Sequence, residues 1–244
     1  MKAIIMAGGK GARLAPYTAV FPKPLMPIGD KPILELLLMQ LNRHGVTEVV
    51  LAVNHLSHLI ESFFGNGSRF GLSITYTHEH SPLGTAGPLG NVLEEMGEHF
   101  FLLNGDLLTT LDYSRMYQFH LENDAAATIA AHERTLKSDF GVLDISQDCR
   151  LEGYREKPEY KHLVSMGCYV LSQKALRGRV IPDVRLDMPE LMQLLLDDGK
   201  HVSCFIDSCF WLDIGRPSDY AQAQEIYERD STFFLVPRHC ISNA

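Results

Sequence analysis

Three glycines within four positions, Gly8, Gly9 and Gly11, follow the apolar run Ala3-Ile4-Ile5-Met6, and two cations stand close behind: Arg13, and Lys23 between Pro22 and Pro24. A short apolar run broken by glycines reads as a buried strand feeding a turn with a bare backbone. Amide groups in such a turn form a concave anion seat with no side chain in the way. A residue preceding proline is pushed away from helical geometry, which predicts that Lys23 projects from a stiff, extended arm. Bare amides and two cations suit phosphoryl chemistry, where negative charge must be neutralised as it moves. The ligand this predicts is a triphosphate.

Three other uses of a glycine loop fit these residues less well. A dinucleotide loop, G-x-G-x-x-G, fits Gly9 and Gly11, but Leu14 stands at the third glycine and Glu35 lies inside a helical pattern rather than at a strand end. A Walker loop ends in Gly-Lys-Ser/Thr, which Gly11-Ala12-Arg13 does not supply. A purely structural turn leaves Arg13 and the Pro22-Lys23-Pro24-Leu25 arm without a role.

Carboxylates complete the chemistry. The apolar run Phe100-Phe101-Leu102-Leu103 ends in Asn104-Gly105-Asp106, and Phe210-Trp211-Leu212 ends in Asp213 before Gly215 and Pro217. Magnesium favours one or two carboxylates plus substrate phosphates, so Asp106 and Asp213 are candidates to share one ion if the fold joins them. Between these runs, Glu79-His80-Ser81-Pro82-Leu83-Gly84-Thr85-Ala86-Gly87-Pro88 is a turn-rich loop after a strand, the place where open α/β sheets bind ligands. Its glycines and Thr85 let a flat ring approach the backbone, so it is assigned to the nucleobase. His78 and His80 could share a face, but no third metal ligand accompanies them, and they read as surface histidines.

Ala7-Gly8-Gly9-Lys10-Gly11-Ala12-Arg13-Leu14 with Pro22-Lys23-Pro24-Leu25 resembles the signature of the sugar-1-phosphate nucleotidylyltransferases. The string Pro82-Leu83-Gly84-Thr85-Ala86-Gly87 is more similar to the mannose-1-phosphate guanylyltransferase branch than to the thymidylyl one. The resemblance covers about residues 1–228. It implies an enzyme that joins a nucleoside triphosphate to a sugar 1-phosphate with release of pyrophosphate, using Mg2+ on Asp106 and Asp213. Ala7, Gly8, Gly9, Gly11, Arg13, Lys23, Glu79, Gly84 and Thr85 would hold the nucleotide, with Arg13, Lys23 and Asp106 catalytic. Lys157 would grip the sugar phosphate and Glu156 the sugar hydroxyls, with Gly141, Asn104 and Ser165 completing that side. Ser165-Met166-Gly167 stands where the family often has Asn-Ala-Gly, which bears on which sugar is read. Other readings stay open: a uridylyl-, thymidylyl- or cytidylyltransferase, a phosphocholine enzyme, or a nucleotide-sugar-binding regulator without turnover.

The elements that must position these residues alternate strand and helix, which argues α/β. The expectation is a Rossmann-like, mixed, mostly parallel central sheet with helices on both faces and a small β-rich extension for the sugar. Strands are predicted at 48–53, 72–76, 100–103, 125–131, 141–145, 151–154, 164–171 and 202–206, and helices at 33–41, 56–64, 89–96 and 217–229. Asp187, followed by Pro189 and Glu190, reads as the cap of a further helix. One domain over 1–230 is expected, with 1–124 mainly for nucleotide and 125–215 mainly for sugar phosphate; the tail 231–244 has no usable periodicity.

A chain of 244 residues, 45% hydrophobic and 21% charged, is ordinary for a globular protein. The net charge of −8 speaks against nucleic-acid or anionic-membrane partners. Residues 1–31 carry five cations against Asp30 alone, a basic end suited to a small anion. Five cysteines without a C-x-x-C pair read as reduced thiols, and no apolar run reaches the ~20 residues of a membrane span. A cytoplasmic enzyme is expected, with homo-oligomerisation possible and no acyltransferase repeat domain in this chain.

Overall fold

The computed structural model describes residues 1–9, 11, 14, 18 and 20–235. Its frame is one seven-stranded sheet in the order β12-β8-β11-β6-β1-β4-β5. These strands are β1 (Lys2–Met6), β4 (Glu48–Val53), β5 (Ser73–His78), β6 (His99–Asn104), β8 (Ala127–Lys137), β11 (Glu159–Ser172) and β12 (Val202–Ile206). β1 runs parallel to β4 and β6, β4 to β5, and β12 to β8, while β11 is antiparallel to both its neighbours. The result is the mixed, mostly parallel sheet expected.

Alternation along each strand feeds two cores, because successive side chains point to opposite faces. Ala3, Ile5, Phe101 and Leu103 pack on one face under α1 (Ile33–Arg43), α2 (Ser57–Phe64) and α4 (Tyr113–Glu122). Ile4, Phe100 and Leu102 pack on the other, under α3 (Leu89–Val92), α5 (Gln173–Leu176) and α6 (Met188–Asp197). Phe100, Phe101, Leu102 and Leu103 have no exposed surface, which at about 1.5–3 kcal/mol per side chain makes β6 the strand hardest to displace. A third cluster joins α7 (Pro217–Arg229) to Leu14, Ile33, Leu108 and Ile214.

Several boundaries differ from expectation. The helix at 89–96 is only α3 followed by a 3-10 turn at Leu93–Glu95. Val92 leaves helical geometry (φ −128°, ψ 1°), two residues after Gly90 is pressed onto the Ile181–Pro182 backbone. β8 and β11 run longer than predicted and pair from Lys137–Glu159 inward, forming an arm beyond the main sheet. Residues 132–137, His-Glu-Arg-Thr-Leu-Lys, lack the alternating apolar signal because most of the arm is exposed. β9 (Val142–Ile145) and β10 (Leu151–Arg155) form an antiparallel hairpin between those strands. α4 was not predicted, although Tyr113, Met116 and His120 form its buried face and Asp112 caps it by accepting from Arg115 N at 3.0 Å. Within the tail, Phe234 and Leu235 belong to the third cluster.

Two short ribbons complete the frame. β2 (Pro27–Ile28) pairs with β3 (Lys31–Pro32), and β7 (Leu107–Thr109) with β13 (Trp211–Asp213), both antiparallel. The second ribbon assembles the site.

Candidate active site

β1 and β6 lie side by side and release their chains at the same edge of the sheet, Met6 opposite Asn104. Beyond β1 come Ala7, Gly8, Gly9 and Gly11; beyond β6 come Gly105 and Asp106. The loops are stitched together, since Gly105 N donates to Met6 O at 3.0 Å and Ala7 N to Ala52 O at 2.8 Å. Two glycines are dictated by space and backbone. A side chain on Gly8 would meet Glu79 Oε1 at 2.9 Å, and Gly11 has φ +60°, the left-handed region glycine tolerates.

Lys23 does not sit on an extended arm. It begins a 3-10 turn, Lys23–Leu25, closed by Met26 N donating to Lys23 O at 3.0 Å, and the extended residue is Pro22. Pro24 is tolerated in that turn because the first amides of a helix have no internal partner to lose. The turn buries the lysine, 8% exposed, and directs its ammonium to Asp106 Oδ2.

Asp213 arrives from the far end of the sequence. β13 pairs with β7 so that Asp213 lies opposite Leu107, next to Asp106, and Ile214 N donates to Asp106 O at 3.4 Å. Its Oδ1 stands 3.9 Å from Lys23 Nζ. Two acidic side chains from separate strands therefore meet on one ammonium, beside the glycine turn. Two open cavities share Met6, Gly9 and Asp106. One, of about 280 Å³, runs between Gly11, Lys23 and Gly215; the other, of about 720 Å³, runs between Gly8, Asn54, Glu79, Gly84 and Asn104.

Glu79 follows β5, and its Oε2 accepts from Leu83 N at 2.9 Å, with burial pushing its carboxyl pKa up against the smaller opposite effect of that amide. Gly84 and Thr85 line the same cavity, but the polar groups of Thr85 are already engaged. Its amide donates to Asp187 Oδ1 at 3.0 Å and its hydroxyl accepts from Met188 N at 2.8 Å, tying the loop to the capped start of α6. His80 lines the cavity too, whereas His78 is half-exposed near Glu61.

The residues predicted for the sugar phosphate fall into two groups. Asn104 lines the larger cavity, whereas Ser165 lines neither: a bulge interrupts β11 between Ser165 and Tyr169, and Gly167 N donates to Ser165 Oγ at 3.3 Å. Gly167, at φ +75°, has no room for a side chain beside Asn104. Trp211 Nε1 anchors this bulge to the ribbon by donating to Met166 O at 3.1 Å. Gly141, Glu156 and Lys157 sit instead at the hairpin, where Tyr154 OH donates to Glu156 Oε2 at 3.1 Å, and they line neither cavity. Lys157 has φ +43°, a strained value for a side-chain-bearing residue. Arg13 lies outside the described residues.

Sequence reasoning missed Asn54 and Gly215, both cavity walls. Asn54 was findable, since it directly follows β4, the parallel neighbour of β1. Among the described residues no group of three or more acidic, histidine or cysteine side chains gathers for a metal, so any ion here would rest on two carboxylates and its substrate. The donor set suits a hard cation of that kind. No described helix is long and apolar enough to cross a membrane.

Known proteins resemble the chain over most of its length. A rice (Oryza sativa subsp. japonica) protein described as probable mannose-1-phosphate guanylyltransferase 1 is 32% identical over 235 residues, covering 93% of this chain. The chain spans 64% of that relative's length. A Synechocystis UTP–glucose-1-phosphate uridylyltransferase is 34% identical over 242 residues, covering 91% of this chain and 62% of the relative. The crystal structure of HddC from Yersinia pseudotuberculosis complexed with GMP-PN superposes with a TM-score of 0.73 at 26% identity, covering 93% of this chain and 99% of that one. The sequence profile described as nucleotidyl transferase matches residues 2–230, and the chain belongs to that family.

Proposed function

We propose that the protein transfers a nucleotidyl group from GTP to a sugar 1-phosphate, releasing pyrophosphate, with mannose 1-phosphate or a close relative as acceptor. The observation that carries this reading is the meeting of Lys23, Asp106 and Asp213 beside the glycine turn. An oxygen of the sugar phosphate attacks the α-phosphorus, the bond to the β-phosphate bridging oxygen breaks, and the electron pair leaves with pyrophosphate. The nucleophile is already anionic near neutral pH, so the protein needs no general base. Its task is to align two anions and neutralise charge on the α-phosphate and leaving group. Lys23, Arg13 and the amides of Gly8, Gly9 and Gly11 address the triphosphate. Asp106 and Asp213 would hold Mg2+, which supplies further neutralisation of phosphate oxygens.

Glu79 favours guanine. An ionised carboxylate only accepts hydrogen bonds. Guanine presents two adjacent donors, N1–H and N2–H, whereas adenine and cytosine pair a donor with an acceptor, and uracil and thymine flank one donor with two acceptors. Glu79 Oε2 is held by Leu83 N, which leaves Oε1, against Gly8, facing the cavity. The strained Lys157, with Glu156 and Gly141, is assigned to the acceptor, the hairpin swinging in over Asn104 and Ser165. On this reading 1–124 mainly hold nucleotide and 125–215 mainly the sugar phosphate. Cys149, Cys168 and Cys204 are free thiols, which suits a reducing, cytoplasmic setting. The deciding experiment is a matrix of five nucleoside triphosphates against several sugar 1-phosphates with magnesium, scored by pyrophosphate released. Silence across the matrix would refute the activity, and a preference for UTP or dTTP would refute the base.

A further inference from the structure

Lys23 stands between the two carboxylates that would receive the divalent ion. Its side chain is 9% exposed, its ammonium donates to Asp106 Oδ2, and Asp213 Oδ1 is 3.9 Å away. Little lets it drift. The turn from Pro22 to Met26 fixes its backbone, and Gly11 packs so closely that an added Cβ would lie 3.2 Å from Lys23 Cβ. Magnesium binds oxygen at about 2.0–2.1 Å. An ion shared by Asp106 and Asp213 would compete with the present ammonium for the same two negative charges.

We propose that Lys23 is the resident counter-cation of the nucleotide-free site, and that the divalent ion enters only together with a triphosphate. The ligand this centre takes is therefore the metal–triphosphate complex rather than the free metal. This deepens, and rests on, the nucleotidyl-transfer reading above. The reason is charge balance in a buried place. Expelling the ammonium to admit a bare ion strands a buried cation without a partner, which is strongly disfavoured. A triphosphate removes the obstacle, because its oxygens accept the displaced ammonium while the ion takes the carboxylates. Metal and nucleotide then tighten each other by one reciprocal factor, for which 5- to 150-fold is the usual range.

The test uses the full chain and Mn2+ as probe, with unbound Mn2+ read by electron paramagnetic resonance, with and without a non-hydrolysable GTP analogue, after subtracting the Mn2+ that the analogue holds in the absence of protein. Wild type is expected to bind Mn2+ alone weakly and at least about tenfold more tightly with the analogue. Lys23→Gln removes the resident charge and should bind Mn2+ alone at least about tenfold more tightly than wild type, although turnover falls. Lys23→Arg keeps a cation and should return Mn2+ affinity to the wild-type value. Equal Mn2+ affinity in wild type and Lys23→Gln overturns the proposal. So does wild-type Mn2+ binding that ignores the analogue, a result that decides the matter even if circular dichroism shows Lys23→Gln unfolded. Analogue-coupled Mn2+ binding without pyrophosphate release from any triphosphate would remove the transfer reaction and still support the exchange at Lys23.

Discussion

Replacing Glu79 by glutamine changes one oxygen to an amide nitrogen and nothing in shape. Leu83 N, 2.9 Å from Oε2, still needs an acceptor, so the surviving oxygen stays there and the amide nitrogen turns toward Gly8 and the cavity. A donor then faces the two donors of guanine. Hydrogen bonds to a charged group are worth about 1.5–3 kcal/mol each, so losing two costs about 3–6 kcal/mol. At 1.4 kcal/mol per decade, kcat/KM for GTP should fall roughly 100- to 10,000-fold. UTP and dTTP carry a carbonyl oxygen beside N3–H, which the glutamine amide matches, so their use should hold or rise. The wild-type enzyme adds a pH signature. Burial raises the Glu79 pKa, protonation destroys its acceptor, and KM for GTP should therefore climb as pH falls toward that pKa. Glu79→Gln should lose this dependence. Steady-state pyrophosphate assays across four triphosphates and several pH values measure all of it. GTP use within threefold of wild type, or equal losses for GTP and UTP, would refute base reading by Glu79.

Asp106→Asn should lower turnover roughly 100- to 1000-fold while circular dichroism stays unchanged; near-normal pyrophosphate release would remove Asp106 from the centre. Lys157→Ala should raise KM for the sugar phosphate at least about tenfold and leave KM for GTP alone, and equal losses for both substrates would move Lys157 away from the acceptor. Acid should destabilise the fold through His120, which is fully buried between His99 and Thr128. Burial, then the neighbouring His99, lowers its pKa from 6.5 to about 4. The unfolded chain binds that proton first, so stability is full above pH 6.5 and falls as pH drops toward 4, by about 3 kcal/mol. Urea denaturation of wild type and His120→Asn across that window should show a steeper slope in wild type, since His44, also lowered by burial, titrates in both; equal slopes would remove His120 from the effect.

Much of the sheet was legible because its strands are short, apolar and bounded by glycine or polar residues. β4 and β12 fall on the predicted residues, as does α7 with its opening proline. The two aspartates could be singled out since Asp213 directly ends an apolar run and Asp106 follows one across Asn104-Gly105, but their meeting could not be read. It depends on β7 and β13, three residues each, whose pairing is a contact across a hundred positions with no local signature. The backbone of Lys23 was misjudged for a related reason. The proline rule is a local preference, and burial beside Gly11 and Asp106 decided the geometry. Thr85 shows the limit at side-chain level, because a hydroxyl in a loop looks available until Asp187 and Met188, a hundred residues on, prove to hold it.

The ribbon of β7 and β13 rests on the last described residues. Gln40 Nε2 donates to Thr109 O at 2.6 Å and also to Phe234 O, and Phe233 packs edge-on against Phe210 at 5.3 Å. Four strands of the central sheet, the glycine turn, Glu79 and Asp106 all lie in the first 106 residues, but Asp213 and its buttress lie beyond position 209. The loop that carries Glu79 and Thr85 is itself held by Leu186 and Asp187, so during synthesis on the ribosome the glycine turn comes first, that loop is fastened next, and Asp213 with its buttress arrives last. On the proposed function, a chain clipped before Asp213 would lack one of the two carboxylates, and one clipped before Phe233 would lack the support beneath the ribbon that carries it.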